Sequence, residues 1–323
     1  MSLSSMEVFN KYYMPATMEQ LGQMIQKFNA ASNGSLLLVA SGFEGDFEQT
    51  SFYNSLANAQ RRVDRYGPNN PVAPVDLTQD THNAVKVAGG FGPVRFEPSQ
   101  MTWLLKPTAE GVEMASRSFA EVMLQDMLNT TIATLVAAIG NQGALTTVDV
   151  SATKQIDFQT INQSHGLFGD HSAQIVAQIM NGYQYHAMIG ANLNNANNLF
   201  QAGNVRVIDI LGRPSVVTDS PALTTPAAGS EPAKTRVLSL VSAAARVHDN
   251  GDIISNVETK NGYERIETTV QMDYSFGIGL KGYSWDPASG GASPTNAELA
   301  TGANWDRVDA IKNTAGVMAV GMA

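Results

Sequence analysis

From Glu264 to Leu280 apolar and polar residues alternate almost without a break. Ile266, Val270, Met272, Tyr274, Phe276, Ile278 and Leu280 share one parity; Arg265, Glu267, Thr269, Gln271, Asp273 and Ser275 share the other. Strict period two predicts one strand with a buried face and a wet face. At about 3.3 Å per residue it would span on the order of 55 Å, against roughly 17–20 Å for a usual strand. A compact domain has little room for such a rib, so the pattern points to an elongated subunit and to assembly before catalysis.

A second long pattern runs from Thr108 to Ile139. Val112, Ala115, Phe119, Val122, Met123, Met127, Ile132, Leu135, Val136 and Ile139 keep an apolar stripe, and Gly140 and Gly143 end it. The spacing predicts a helix of roughly 30 residues and about 45 Å. A helix and a strand of similar reach would lie side by side in two layers.

Shorter patterns fill the rest. Residues 1–45 read as an arm, with a capping-box pair at Thr17 and Gln20 and then Met18, Leu21, Met24, Ile25 and Phe28 at helical spacing until Asn33-Gly34. A second helix is expected over Gln49–Tyr66, with Arg61, Arg62 and Arg65 in its last turn, where cations suit the dipole. Pro71, Pro74, Pro93 and Pro98 exclude helix from most of Asn69–Pro107. Ala84–Ala88 and Val94–Phe96 there read as the legs of a protruding hairpin that turns at Gly89–Pro93, with Lys86 near its tip. A two-stranded ribbon is marginal alone in water, so a neighbouring subunit must hold it. Deleting Asn70–Pro98 is then expected to stop assembly and leave a folded subunit.

Residues 141–263 read as a more compact unit. Asp170 is expected to cap a helix carrying Ile175, Val176, Ile179, Met180 and Tyr183, and the Asn-rich stretch Asn192–Asn198 to be a loop. Val205–Ile210 and Ser215–Thr218 read as strands, while Asn250-Gly251 and Asn261-Gly262 read as hairpin turns of a meander. The tail from Trp285 is loop-rich until a last apolar run, Ala315–Val320.

Composition narrows the function. A net charge of −9 argues against a nucleic-acid-binding surface, which needs clustered Lys and Arg. Zero cysteine excludes disulfides, thiolate metal sites and cysteine nucleophiles. No uninterrupted apolar run reaches the roughly 20 residues of a membrane span, and Met1–Asn10 lacks the pattern of a signal peptide, so a cytosolic, membrane-free protein is expected.

Candidate chemistry is thin. Gly277-Ile278-Gly279-Leu280-Lys281-Gly282 fits GxGxxG, yet Tyr283–Pro287 cannot open the helix that a phosphate would need. The five histidines show no metal-ligand spacing, and Asp170-His171-Ser172 is not a triad by adjacency alone. No cofactor, metal or catalytic residue is expected, and the protein is not expected to be an enzyme. Arg61, Arg62 and Arg65 are candidates for an acidic surface across a subunit boundary, with a solvated helix end as the competing reading. Lys86 and Arg95 are candidates for an ionic contact with a neighbouring spine.

The order of parts, namely arm, hairpin, long helix, compact unit and long returning strand, resembles the major capsid proteins of tailed bacteriophages with the HK97-type fold. Ile210-Leu211-Gly212-Arg213-Pro214-Ser215-Val216-Val217-Thr218-Asp219-Ser220-Pro221 is similar to a segment of that family's capsomer-centre domain. Phe276-Gly277-Ile278 through Gly282-Tyr283-Ser284-Trp285 resembles its Gly-containing strand ending in Ser-Trp. The resemblance implies an α+β fold with an N-terminal arm and helix over 1–66 and an extended hairpin, or E-loop, over 67–107. It further implies a P-domain over 108–140 and 264–283, an A-domain over 141–263, and a closing segment over 284–323. It implies hexamers and pentamers of one chain in an icosahedral head, assembled in the host bacterial cytoplasm. That head encloses double-stranded DNA without sequence-specific binding. Scaffolding, decoration and portal proteins are the implied partners, and some coat proteins of this kind join a lysine placed like Lys86 to an asparagine of a neighbour. The alternatives are an encapsulin-like compartment around a cargo enzyme and a monomeric α/β hydrolase or binding protein.

Overall fold

The structure of the protein, a computed structural model, describes residues 3–39, 41–53, 59–68, 70–77, 79–96, 109–199, 213–229, 232–262, 264 and 267–323. Helix α1 spans Leu3–Ala31 and helix α2 spans Ala109–Gly140. Leu21 and Ile25 of α1 share one buried core with Phe119, Met123, Met127, Leu135 and Ile139 of α2. Helix α2 fulfils the expected long helix. Its segment Ser116–Gly140 is long and apolar enough to cross a membrane by length and composition, but its apolar side is buried inside this fold. Helix α1 starts well before the expected cap, and Thr17 is wholly buried within it. A capping-box pair cannot be told from two interior residues when helix runs past it on both sides. Asn33 and Gly34, at φ 51° and 69°, end α1, with the Gly34 N–H donating to Asn29 O at 3.1 Å.

Among the described residues eight strands form the larger sheet: β1 (Leu36–Val39), β2 (Phe47–Tyr53), β3 (Gln79–Phe96), β9 (Ala245–Asp249), β10 (Ile254–Lys260), β11 (Glu267–Leu280), β12 (Tyr283–Trp285) and β13 (Trp305–Arg307). Six form the smaller: β4 (Thr147–Asp149), β5 (Ile175–Met180), β6 (Ser215–Val217), β7 (Thr224–Thr225), β8 (Lys234–Val241) and β14 (Gly316–Met322). Helices α3 (Phe158–Gly166) and α4 (Gly182–Leu199) flank the smaller sheet in sequence. The apolar tail read from the sequence is β14, an inner strand between β4 and β8. Strand β1 closes onto α1 through one side chain. The Asn29 amide donates to Leu38 O at 2.9 Å and accepts from the Leu38 N–H at 3.0 Å, substituting for a strand partner.

The long alternating strand is β11, about 46 Å at 3.3 Å per residue. It is antiparallel to β3 along one edge and to β9 and then β10 along the other. Two expected turns are interruptions of this ribbon. Gly89–Pro93 does not reverse the chain, because β3 runs straight through it. Gly89 and Gly90 leave space for the Tyr274 ring and the Asp273 carboxylate, and Gly92, at φ 101°, lies where the β3–β11 register shifts. Asn250-Gly251 is likewise not a hairpin turn. Asp249 faces Phe276 and Ile254 faces Asp273, so β9 and β10 follow one another along β11 with two extra residues between them. Of the two Asn-Gly pairs, Asn261-Gly262 is the one that lies in a hairpin connection, from β10 to β11.

Three further expectations fail for physical reasons. The described parts of the expected helix Gln49–Tyr66 do not form it. Phe47–Tyr53 pairs with β3, and residues 60–66 are exposed and irregular. Ile175–Met180 is a strand buried on both faces between β8 and β6, and a short apolar run cannot be told from a buried helix by period alone. Asn192–Asn198 is helical, as the second half of α4. The expected strand Val205–Ile210 lies outside the described residues.

The glycines of the GxGxxG string serve packing. A Cβ at Gly277 would overlap the Phe43 ring, and one at Gly279 would stand 3.2 Å from Ala84 Cβ. Gly282, at φ 77°, makes the turn from β11 into β12, which is a strand and not the helix that phosphate binding requires. Behind the ribbon, Phe119 of α2 meets Phe91 and Tyr274 edge to face, and the Tyr274 hydroxyl donates to Asp126 Oδ2 at 2.7 Å.

Gly277→Ala should lower stability by about 1–3 kcal/mol in urea unfolding, through the clash with Phe43. Combined with Phe43→Ala it should cost less than the two changes summed, and strict additivity would show that the ring does not press on this strand. Tyr274→Phe should cost about 1 kcal/mol by losing the bond to Asp126, whereas Tyr274→Ala should cost about 3–5 kcal/mol by also emptying the layer between ribbon and helix. Equal losses for both would put the whole effect in the hydroxyl.

Candidate functional site

The feature that invites a function is a surface rather than a cleft. Strands β2 and β3 pair from Phe47↔Val85 to Tyr53↔Gln79, so the connection between them leaves the body at a defined pair of residues. Its residues 60–68 and 70–77 are neither helix nor strand. Pro71 and Pro74 have no N–H to give a ladder, and the Asp64 carboxylate takes the Tyr66 N–H at 2.9 Å in a local turn. Tyr66 is 99% exposed, and Val63, Val72, Val75 and Leu77 are each more than half exposed. Burying one such side chain is worth about 1.5–3 kcal/mol, so five exposed in one loop make it a candidate contact surface. Arg61, Arg62 and Arg65 stand on the same loop, exposed. Among the described residues none of the three meets a carboxylate.

The other two candidate cations lie elsewhere. Lys86 is not near a hairpin tip; it faces Gly277 inside the sheet, and its Nζ stands 5.8 Å from the centroid of the Phe43 ring. Arg95 pairs with Glu267 of its own chain at 3.2 Å, across β3 and β11. Thus Arg61, Arg62 and Arg65 share one exposed stretch, while Lys86 and Arg95 are engaged within the subunit.

Sequence reasoning missed the group around Phe43. This ring packs edge to face on His248, lies under Lys86 and covers Gly277. His248 Nδ1 is 2.9 Å from Ser41 O, and its Nε2 is 3.7 Å from Glu48 Oε2. The available signal was Gly277, a residue without a side chain on the wet parity of a long strand. A second missed group holds the lead-in to β6. Arg213 Nη1 is 2.6 Å from His165 Nδ1, its Nη2 donates to Ser172 O at 2.7 Å, and His165 Nε2 is 3.0 Å from Ser239 Oγ.

Catalytic and ligand chemistry find little support in the geometry. The Asp170 carboxylate pairs with Lys312, His171 Nδ1 faces Lys312 O at 3.2 Å, and Ser172 enters the network only through its carbonyl. Asp170, His171 and Ser172 therefore form no relay. Among the described residues no group of three or more His, Asp and Glu side chains is placed to hold a metal. A cleft of about 650 Å³ beside the end of α2 mixes Asp149, Lys234 and Arg236 with small apolar residues, without a convergent acid–base pair.

The chain matches the family model described as Major capsid protein 13-like, or Gp13-like, over residues 5–318. Among solved structures it is similar to a chain of the cyanophage Pam1 capsid asymmetric unit, with TM-score 0.53 and 13% identity over 89% of this chain and 88% of that one. It is also similar to the capsid of Ralstonia phage GP4, with TM-score 0.49 and 13% identity over 91% and 88%. The match to Microbacterium phage Oxtober96 has TM-score 0.49 and 12% identity over 90% of each chain. No curated protein sequence matches. At such identities the likeness to Pam1 shows a fold, an α+β fold consistent with the HK97 type, and the family match supplies the role. The chain belongs to the Gp13-like family of phage major capsid proteins, the structural subunits of the phage head.

Proposed function

We propose that this subunit forms hexamers and pentamers that close an icosahedral head around double-stranded DNA, located in the virion and assembled in the host bacterial cytoplasm. The observation that carries the reading is the β2–β3 loop, which offers Tyr66, four aliphatic side chains and three arginines to solvent. In a chain of net charge −9, that basic and apolar loop fits the surface of a second copy. The E-loop is accordingly the connection between Tyr53 and Gln79, shorter than the 67–107 of the sequence expectation, because β3 belongs to the body. The P-domain is α2 with the larger sheet. The A-domain is the smaller sheet with α3 and α4, and β14 returns to it from the tail. Scaffolding, decoration and portal proteins are proposed partners on the family resemblance alone. The family match favours a phage head over a cellular compartment.

Deleting Asn70–Pro98 would be a poor test, since it removes β3 with buried Val85 and Val87 and unfolds the subunit. Replacing residues 54–78 with a short Gly/Ser turn between the paired Tyr53 and Gln79 should keep the thermal midpoint within a few degrees and abolish closed shells in electron microscopy. Shells of normal size from a folded variant would refute the loop assignment. Arg61→Glu with Arg62→Glu and Arg65→Glu should weaken assembly most at low salt, read by light scattering against ionic strength.

A further inference from the structure

Arg213 belongs to the Leu-Gly-basic string of the sequence, yet the capsid role assigns it nothing. Its guanidinium can only donate hydrogen bonds. The 2.6 Å contact from Nη1 therefore requires a lone pair on His165 Nδ1. The ring proton must then sit on Nε2, where Ser239 Oγ is 3.0 Å away and takes it. The second donor of Arg213, Nη2, ends on Ser172 O at 2.7 Å. One side chain thus ties the start of β6 to α3, which carries His165, and to the turn before β5, which carries Ser172. No carboxylate neutralises this guanidinium among the described residues. The arrangement works only while the ring of His165 is neutral.

We propose that His165 and Arg213 form an acid-sensitive latch that holds the lead-in of β6 on the smaller sheet and opens when the His165 ring gains a second proton. A proton on Nδ1 would face the N–H of Arg213 across 2.6 Å, replacing an acceptor with a donor and setting two cations in contact. Three groups of charges stand near α3. Asp157 caps α3 and pairs with Lys154, Asp170 pairs with Lys312 while His171 faces Lys312 O, and Asp149, Lys234 and Arg236 line the cleft beside α2. Arg213 is the charged group that bears on the ring. Burial, with Arg213 adding to it, pushes His165 down to about 4. The sign follows. The unfolded ring binds its proton at about 6.5, so the latch is intact above that pH, and stability is lost as pH falls from there toward 4.

Ring nitrogen spectra of the full chain, labelled with ¹⁵N-histidine, test this directly. At pH 7 His165 should show the Nε2–H form and should titrate more than one unit below an unperturbed histidine. A resonance with the proton on Nδ1 would overturn the latch. His165→Gln provides the second reading, because its amide can accept from Arg213 and donate to Ser239 but cannot titrate. In the wild type the backbone resonances of Ser215–Val217 should shift with a midpoint near pH 4, and in His165→Gln that shift should vanish. The same acid shift in both proteins would refute a role for the imidazole. Arg213→Gln should raise the His165 midpoint, since the facing cation is gone; an unmoved midpoint would show that Arg213 does not bear on it.

Discussion

Strand β11 constrains everything around it. It hydrogen-bonds to β3 on one edge, to β9 and β10 on the other, and to β12 through the turn at Gly282. Because both edges are paired, a one-residue slip would exchange its faces against two sets of neighbours at once, which fixes the register. From Tyr274 to Leu280 the strand is buried on both faces. Glycine at 277 and 279 permits this, since Phe43 and Ala84 occupy the space where side chains would stand. Helix α2 is fastened to the same strand by Phe119 and by the bond from Tyr274 to Asp126. The long helix and the long strand are therefore packed into one core.

Periodicity made the two long elements legible. The alternation of Met272, Tyr274, Phe276, Ile278 and Leu280 and the helical stripe of α2 both depend on local spacing, and both elements are where the pattern put them. What failed was decided by distant partners. Ile175–Met180 reads equally as helix or strand until β8 and β6 flank it. Gly89–Pro93 and Asn250-Gly251 carry turn chemistry, but a glycine serves a bulge as well as a turn, and the pairing with β11 chooses the bulge. The three arginines were legible as a cluster and not as a loop, because β2 takes the start of the expected helix into the sheet. The contact between His165 and Arg213 leaves no trace in the spacing, since polar partners 48 positions apart follow no period.

The proposed function divides assembly between this packed core and the β2–β3 loop. Among the described residues the outer edge of β10 is unpaired, and the β2–β3 loop exposes apolar side chains, so a lone subunit carries the liabilities of an aggregation-prone protein. The proposed function makes those surfaces the contacts of the shell. Each loop residue that loses freedom on docking costs about 1–2 kcal/mol, which offsets part of the gain from burying Tyr66 and its neighbours. On that reading each contact is weak and reversible, which lets misplaced subunits leave a growing shell. The completed shell is held by many such contacts at once, so its lifetime does not depend on the strength of any single one. The fixed pairing of Tyr53 with Gln79 gives every copy of the loop the same point of departure, so weak contacts can still be made in register.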